Sequence, residues 1–396
     1  MSTTSAVLSV PRSAPVQAGV LNCRIADSDN VHAALAVWRE LDYRLGNRSV
    51  ASSATWTESW IQVYGNVVPF RFLIAESNGV ARGICLLTSG TGQKLGPFSI
   101  RTLHLGTAGE PQPGSVCVEY NRLLVEPEFQ AELIALVATE IHHDQSWEQL
   151  RLDGFSSADL QPWLTHFPGA EVRSRDSRYF DLEAARLSEK QVIDLLGRST
   201  RSNLRRRLKQ YGPLECEWAE TIEQAEEILQ ELITLHQARW ESAGQPGAFA
   251  SPHFRDFQLL VNLKLFLEGK VVLFRVRHQA ETVGCLLLLV DENRLLDYLS
   301  GFADFDVKPS PGLTTHYLCM EQALQRGFRA YDFLVGEKRH KENLSSEINQ
   351  LCWLSWSRPS WKLKGLEHLR TWKQWIGKLR SRRSSKQNSD CTSLEK

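Results

Sequence analysis

LLDYLSGFADFDVKPSPGLTTHYLCMEQALQR, residues 295–326, is the stretch of this 396-residue sequence that decides its fold. Leu295–Gly301 has the pattern of a β-strand, and Leu313–Arg326 has the spacing of a helix. A Ser-Pro-Gly turn at 310–312 stands at the head of that helix. A glycine there lets the backbone approach an anion, and the free N–H groups of the first turn attract phosphate. The segment therefore predicts either a strand–phosphate loop–helix unit or, more simply, a capped helix.

The phosphate interpretation assigns specific residues to the loop. Backbone N–H groups and hydroxyls would come from the first helical turn, and one lysine would offset a phosphate charge. The candidate residues are Lys308, Ser310, Gly312, Leu313, Thr314 and Thr315.

The elements around this segment occur twice in the order β-α-α-β-β-β-α-β-α-β. The first copy is predicted as strand Asn22–Ala26, helices Asn30–Leu45 and Trp56–Tyr64, strands Phe70–Glu76, Ala81–Thr88 and Tyr120–Val125, helix Pro127–His143, strand Leu150–Phe155, a short helix and strand Tyr179–Leu182, with a glycine-rich interruption from Gly90 to Gly114. The second is predicted as strand Leu214–Trp218, helices Ile222–Trp240 and His253–Leu267, strands Val271–Arg277, Thr282–Val290 and Leu295–Gly301, helix Leu313–Arg326, strand Ala330–Val335, helix Glu337–Ser346 and strand Leu351–Trp356.

A glycine has the same position in both copies. Phe70 precedes Gly83 by the same spacing that separates Val271 from Gly284, and an apolar run follows each glycine. We therefore expect a mixed α/β protein with a disordered-looking segment at 1–20, one domain at 21–186, a second at 187–358 and a tail at 359–396.

Composition excludes several classes of function. Lys+Arg and Asp+Glu are equal in number, so net charge favours no nucleic-acid partner. The eight scattered cysteines lack metal or disulfide spacing, which favours a reducing compartment. Neither a signal peptide nor a membrane-length apolar run is present, so we expect a cytoplasmic protein that is either soluble or peripheral at a membrane. No P-loop, dinucleotide fingerprint or Ser-His-Asp order stands out.

Three stretches carry a resemblance to a known family. Thr200–Tyr211 opens the second copy as a basic helix, Ser300–Met320 holds the Pro-Gly turn, and YDFLVG at 331–336 is followed by Lys341. With the element order, over roughly residues 20–357, they resemble the CelD-type acetyltransferases of the GNAT superfamily and, more distantly, the FemAB-like double-GNAT transferases. Two departures are a His340-Lys341 pair where the family usually has Tyr-Lys, and a phosphate loop that differs from the usual GNAT pattern.

The resemblance implies a tandem GNAT fold that transfers an acyl group from acetyl-CoA or another acyl-CoA. In such a site, backbone N–H groups near Leu299 and Ser300 would hold the acyl oxygen. Asp297 and Asp332 lie on the two neighbouring strands. Asp332 is the first choice for a base or substrate-orienting group, and the alternative is a buried ion pair with Arg294 or Arg329.

Other ionisable residues are weaker candidates. His340 and Lys341 would face the acceptor, although a solvated helix face accounts for them equally well. His316 is more simply a satisfied polar residue on a helix. In the first copy, Glu126 and Glu128 stand where phosphates would bind, so we expect one cofactor per chain.

The basic block Arg198–Lys209 has six positive residues and no acidic one. By the family likeness it lies between the two halves, where Arg201 and Arg205 would bind an acceptor that carries diphosphate. A solubilising linker helix is the alternative.

The function expected from this resemblance is transfer of an acetyl or other short acyl group to a hydroxyl or amine of a sugar, in exopolysaccharide or cellulose biosynthesis. One alternative is a FemAB-like transferase that uses aminoacyl-tRNA, and another is a non-catalytic scaffold of a polysaccharide-synthesis machine. The expected partners are a small-molecule or glycan acceptor and, peripherally, the inner membrane face or a polysaccharide synthase, without a specific nucleic acid. The basic tail has an apolar helical stripe that would lie on an anionic membrane or pack on the protein itself.

Overall fold

The computed structural model describes residues 21–46, 49–95, 98–111, 114–117, 119–304, 306–307 and 309–359. The tail assigned to residues 359–396 therefore lies, apart from its first residue, outside the described part, as do the first twenty residues. The first half contains β1 (Asn22–Ala26), α1 (Val31–Arg44), α2 (Ala54–Tyr64), β2 (Phe70–Ser77), β3 (Val80–Leu95), β4 (Phe98–Leu105), β5 (Leu124–Val125), α3 (Gln130–His143), β6 (Gln149–Ser156), α4 (Ser157–Leu160) and β7 (Glu171–Asp181).

Three short or basic helices lead into the second half. They are α5 (Leu182–Leu187), α6 (Val192–Leu195) and α7 (Arg198–Tyr211). The remaining elements are β8 (Glu215–Trp218), α8 (Ile222–Ser242), α9 (Pro252–Leu267), β9 (Val271–His278), β10 (Glu281–Asp291), β11 (Arg294–Phe302), α10 (Pro311–Gln325), β12 (Ala330–Val335), α11 (Arg339–Leu344) and β13 (Glu347–Ser357).

The strands of the described residues form one mixed sheet that runs through both halves. Its order is β1-β2-β3-β4-β6-β13-β7-β12-β11-β10-β9-β8, with β5 paired to β3. The pairs β4–β6 and β11–β12 are parallel, and the other strand pairs are antiparallel. The last strand of the second half, β13, lies between β6 and β7 of the first half, and β7 pairs with β12. The two halves therefore exchange strands at the centre of the sheet.

Helices cover both faces of this sheet. Residues of α1, α2, α8 and α9 share one apolar core, and Trp56 of α2 meets Phe257 of α9 with ring centroids 5.0 Å apart. On the opposite face, α3 packs in one cluster, and α5, α6, α7 and α10 pack in another. Each half thus has one parallel pair of strands, β4–β6 or β11–β12, that lies between two layers of helices. The site described below lies where β11 and β12 separate.

The predicted α/β architecture with tandem GNAT-like units is confirmed, but several elements differ from the predictions. The glycine-rich stretch 90–114 does not interrupt the sheet, because β3 continues to Leu95 and β4 follows at Phe98. The predicted strand Tyr120–Val125 is reduced to β5, since Tyr120 has a positive φ of 57° and leaves the extended conformation. β7 starts at Glu171, well before the predicted Tyr179. The domain boundaries remain predictions.

The repeated glycines permit close helix packing in both halves. A Cβ on Gly83 would lie 2.7 Å from Leu133 of α3, and a Cβ on Gly284 would lie 2.5 Å from Thr315 of α10. The shared spacing in the sequence therefore has one physical cause, which is a helix that lies directly on the middle strand.

Gly284→Ala is expected to lower the free energy of unfolding by about 1–3 kcal/mol, because the added methyl group overpacks this contact. Chemical denaturation measures the effect. The control is Gly197→Ala, at a position where a Cβ meets no atom within 4 Å. Equal stability of the two variants would show that α10 does not need the glycine.

Candidate active site

A gap opens between β11 and β12. The two parallel strands pair only as far as Leu296 and Asp332 and then separate. On β11, Leu287 faces Leu299 while Leu288 faces Asp297, so Tyr298 is the extra residue of a β-bulge. The backbone of β11 beyond the bulge thus has an edge that does not pair with β12, which is the edge where the predicted acyl-oxygen donors Leu299 and Ser300 lie.

The N-terminus of α10 follows β11 and closes one side of this gap. Ser310 has a left-handed φ of 54°, and the next residues turn directly into the helix. The Thr314 side chain is fully buried, and its hydroxyl has no hydrogen-bond partner among the described residues. The Thr315 hydroxyl instead donates to the Pro311 carbonyl at 2.9 Å. Leu313 lies in the same first turn, and Lys308 lies outside the described residues.

Asp297 lies on the α10 face at the point where the strands separate. Its Oδ1 is buried without a hydrogen-bond partner among the described residues, and its Oδ2 is 3.8 Å from Nε2 of His316. Burial raises the pKa of Asp297 to about 6, against the opposing effect of Lys341, His340 and Lys338. A buried carboxylate with one oxygen unpaired is costly for stability, so Asp297 points to a chemical role.

Two histidines border this carboxylate. Nδ1 of His316 is 2.8 Å from the Tyr331 hydroxyl, and its ring stacks on His340 with centroids 5.3 Å apart. Burial lowers the pKa of both rings to about 3. Both are therefore neutral at pH 7, and they form an uncharged wall around Asp297. The sequence predicts only a weak role for His316 and does not predict its contacts with Tyr331 and His340.

Lys341 lies at the end of β12. It is buried, and its ammonium group donates hydrogen bonds to the carbonyls of Phe333, Leu334 and Val335. Burial lowers its pKa, and Asp297 and Glu119 counteract that effect. The solvated-helix alternative is wrong for this residue, because the side chain fixes the strand end beside the gap.

Asp332 occupies the opposite face of the sheet from Asp297. Its Oδ1 accepts hydrogen bonds from the Ser177 hydroxyl at 2.7 Å and the Leu334 amide at 2.8 Å, and its Oδ2 accepts one from Tyr120. Arg294 lies 3.9 Å away. With both oxygens engaged and the side chain fully buried, Asp332 fits the ion-pair alternative and leaves Asp297 as the better candidate for proton transfer.

The basic helix α7 does not lie between the two halves. Its buried residues Leu204 and Tyr211 belong to the core that contains α10. Arg201 donates to the Asp194 carbonyl at 3.2 Å, and the exposed Arg205 lies 3.9 Å from the Asp194 carboxylate. The expected location of these arginines is therefore corrected, because they lie beside α6 on a helix that packs in the cluster of α10.

In the first half, the segment that leads into α3 begins with a buried carboxylate that is paired with arginines. Glu126 is buried and forms ion pairs with Arg44 at 2.9 Å and Arg82 at 3.0 Å, while Glu128 is exposed. Both carboxylates lie at the start of the segment that leads into α3, as the sequence predicts.

Glu119, Tyr120 and Ser177 of the first half also contact the end of β12, although the sequence gives no pattern that identifies them. Within the described ranges, no group of three or more His, Cys, Asp or Glu residues is arranged to hold a metal ion. Among the described helices, none combines the length and hydrophobicity that crossing a bilayer requires.

The part of the chain that contains this gap matches a known protein family. The model of the acetyltransferase (GNAT) domain matches residues 198–342, which include the gap, Asp297 and Lys341. Residues 198–342 therefore match a GNAT domain, over a little more than a third of the chain. The enzyme prediction, a GNAT-type acyltransferase, is confirmed, and the non-catalytic scaffold alternative is set aside.

Solved structures share the fold at low sequence identity. A crystal structure of FemX is 12% identical, with 83% of this chain and 96% of that chain covered and a TM-score of 0.54. The C-terminal domain of a putative lysylphosphatidylglycerol synthetase from Agrobacterium fabrum is 10% identical, with 83% and 93% covered and a TM-score of 0.52. L-PGS from Bacillus licheniformis is 10% identical, with 89% and 97% covered and a TM-score of 0.50. A search of curated proteins gives no match. The CelD-type resemblance is not among these findings.

Proposed function

We propose that this GNAT domain transfers an acetyl or other short acyl group from acyl-CoA to a hydroxyl or amine of a sugar or a related cell-envelope precursor. The observation that carries the proposal is the gap between β11 and β12, which has the N-terminus of α10 on one side and the unpaired Asp297 carboxylate within it. A thioester supplies an activated acyl carbonyl, and the gap supplies the polar groups that its transfer needs.

The residues present fit a CoA donor. The first-turn N–H groups around Gly312 and Leu313 and the unpartnered Thr314 hydroxyl would bind the pyrophosphate, because the positive end of the helix dipole lies there. The unpaired edge of β11 at Leu299 and Ser300 would hydrogen-bond the acyl oxygen and stabilise negative charge that develops on it. Ser310 would contribute through its left-handed backbone, which orients the turn.

Asp297 would move the proton at the reacting carbonyl. Its pKa of about 6 lets the carboxylate accept a proton at neutral pH and return it to the departing sulfur. His316 and His340 exclude water and position this carboxylate, and Lys341 keeps the end of β12 in place. Asp332 supports the same strand from the opposite face.

A second candidate donor is an aminoacyl ester carried by tRNA, as in the FemAB-like alternative. Two observations favour it. FemX shares the fold over most of its length, and the exposed arginines of α7 lie on the helix that packs beside α10, where a phosphate backbone could bind. Because arginines on a helix would also bind the phosphates of CoA, the choice depends on a direct binding measurement.

Calorimetric titration with acetyl-CoA tests the proposal, and Gly312→Val is expected to weaken binding at least tenfold. The β-branched side chain would block the pyrophosphate from the first-turn amides. A Cβ at this position also lies 3.3 Å from the Phe302 ring, so circular dichroism must show that the variant remains folded.

The matched control is Gly197→Val, because a Cβ there meets no atom within 4 Å. Unchanged affinity in a folded Gly312→Val variant would remove the phosphate-loop assignment. Absence of acetyl-CoA binding to the unmodified chain, together with binding of aminoacyl-tRNA, would favour the second donor.

A further inference from the structure

The first half contains the same kind of gap as the GNAT domain, but the chain itself fills it. The parallel pairing of β4 with β6 ends at His104 and Arg151. Beyond that point, the Asn121 amide donates to the Gly154 carbonyl at 3.0 Å, and the Asn121 side chain donates to the Leu105 carbonyl at 3.1 Å. Asn121 therefore bridges the separated strands where a ligand would otherwise bind.

The fit of Asn121 depends on its neighbour across the gap. Gly106 has a φ of 90°, and a Cβ there would lie 2.9 Å from the Asn121 amide nitrogen. The two residues that precede Asn121 extend from this filled gap to the second half. Tyr120 has a left-handed φ of 57° and donates to Asp332, and Glu119 Oε2 accepts the amide N–H of Val335 at 2.8 Å. A strained backbone conformation of this kind persists only where the surrounding structure fixes it, and such residues cluster at functional sites.

Glu119 lies at the end of the GNAT gap on the face opposite Asp297. It lines a small cavity with Cys117, Tyr298 and Leu334, and Tyr298 is the bulge residue of β11. Oε2 accepts the Val335 amide, and the hydrogen bonds of the described part of the chain include none to the second oxygen, Oε1. The Glu119 carboxylate is therefore fixed by one oxygen and free to bind a ligand with the other.

The charge around this cavity favours a cationic ligand. The Glu119 carboxylate lines the cavity beside Cys117 and adds to the effect of burial in raising the pKa of that thiol, with further contributions from Glu110 and Asp153, which lie outside the cavity. Lys341 and Arg175 oppose them near Glu119. The ammonium group of Lys341 contacts three carbonyls at the strand end, and it forms no direct ion pair with Glu119 among the described residues.

We propose that the first half gives up its own ligand gap in order to deliver Glu119 to the GNAT site, where Glu119 binds the amino group of the acceptor. This inference rests on the proposed function, and it specifies an amine that arrives as an ammonium ion. Glu119 takes one proton from that ion. The nitrogen then forms a bond to the acyl carbon as the C–S bond of the thioester breaks, and the second proton passes to the departing sulfur through Asp297.

The test measures thiol release from acetyl-CoA with three amines and their hydroxyl analogues. The pairs are glucosamine and glucose, 5-aminopentanoate and 5-hydroxypentanoate, and ethanolamine and ethylene glycol. We expect at least one amine to exceed its analogue tenfold, and Glu119→Gln to lower that rate at least tenfold while calorimetry shows acetyl-CoA affinity within twofold of the unmodified chain. The control variant is Glu128→Gln, at an exposed carboxylate outside the cavity.

Three turnover results would overturn the inference while acetyl-CoA binding, and with it the proposed function, still stands. They are equal rates for amines and hydroxyl analogues, an unchanged rate in Glu119→Gln, and no thiol release with any amine. Hydrogen exchange tests the delivery step without a donor. Asn121→Ala is expected to speed exchange of the Val335 amide as Glu119→Ala does, and unchanged protection in a folded Asn121→Ala variant would show that the filled gap does not position Glu119.

Discussion

Asp297→Asn is expected to lower acyl transfer at least a hundredfold and, at the same time, to raise the stability of the folded chain at pH 7. A general acid or base typically contributes a factor of about 10²–10⁴ to the rate. The gain in stability arises because Oδ1 of Asp297 is buried without a partner within the described residues, and an amide is easier to bury than a charge.

The pH dependence of this effect has a definite sign. The pKa of Asp297 is raised from 3.8 to about 6 in the folded chain, so the unfolded chain ionises first. Stability is therefore lost as the pH rises from about 4 to 6, by a total of about 3 kcal/mol. The stability advantage of the Asn variant should shrink as the pH falls from 7 towards 4, and the rate of the unmodified enzyme should fall as the pH drops through 6.

Urea denaturation at several pH values and a pH–rate profile check both parts. Asp29→Asn, at an exposed site, is the control and should change neither. If Asp297→Asn instead lowers stability at pH 7, the carboxylate is a structural partner, and its place in the proton transfer is lost.

Arg275→Met is expected to lower the free energy of unfolding by about 1–3 kcal/mol, because it removes several charge-assisted hydrogen bonds of a buried guanidinium while the partner carboxylates remain partly exposed to solvent. The Arg275 side chain is only 2% exposed, and it contacts Glu217 at 2.6 Å, Glu227 at 2.7 Å and Glu231 at 2.8 Å. Without the guanidinium on β9, the carboxylate of Glu217 on β8 and those of Glu227 and Glu231 on α8 face one another. Thermal and chemical denaturation measure the loss.

Arg277→Met provides a matched control on the same strand. Its side chain is 31% exposed and contacts Glu227 at 3.0 Å, so we expect a cost below about 1 kcal/mol. A similar loss in both variants would show that the cluster around Arg275 contributes no more than a surface pair. Acetyl-CoA affinity of the folded fraction should be unchanged in both, because β9 lies two strands from the gap.

Local pattern predicted most elements of this fold, since the helices have clear periodicity and most strands lie between turn residues. It failed at β4, because the surrounding glycines are typical of a loop while the pairing of Leu103 and Leu105 with β3 is a long-range effect. It also failed to predict the insertion of β13 between β6 and β7. Strand order in a sheet depends on pairing between distant residues, and a single sequence does not record that pairing.

The candidate site was predicted in part. The sequence predicts Asp297 from its strand and Lys341 from the family resemblance, but it favours Asp332 over Asp297 because an acid inside an apolar strand is either paired or functional. The ranking could not be made from sequence, since it depends on Tyr120 and Ser177, which approach Asp332 from another half of the chain. His316 was underrated for the same reason, because its partners Tyr331 and His340 lie on other elements.

The exchange of strands also affects how the chain can fold during synthesis. Leu354 of β13 pairs with Leu152 of β6 on one side and with Val172 of β7 on the other, so the centre of the sheet stays incomplete until the residues of β13 have left the ribosome. Contacts this far apart in sequence slow folding, and open strand edges expose a nascent chain to aggregation. A fragment that stops before β13 would leave β6 and β7 without the strand between them, and a fragment of the GNAT domain alone would leave β12 without β7. The acyltransferase therefore forms as one cooperative unit.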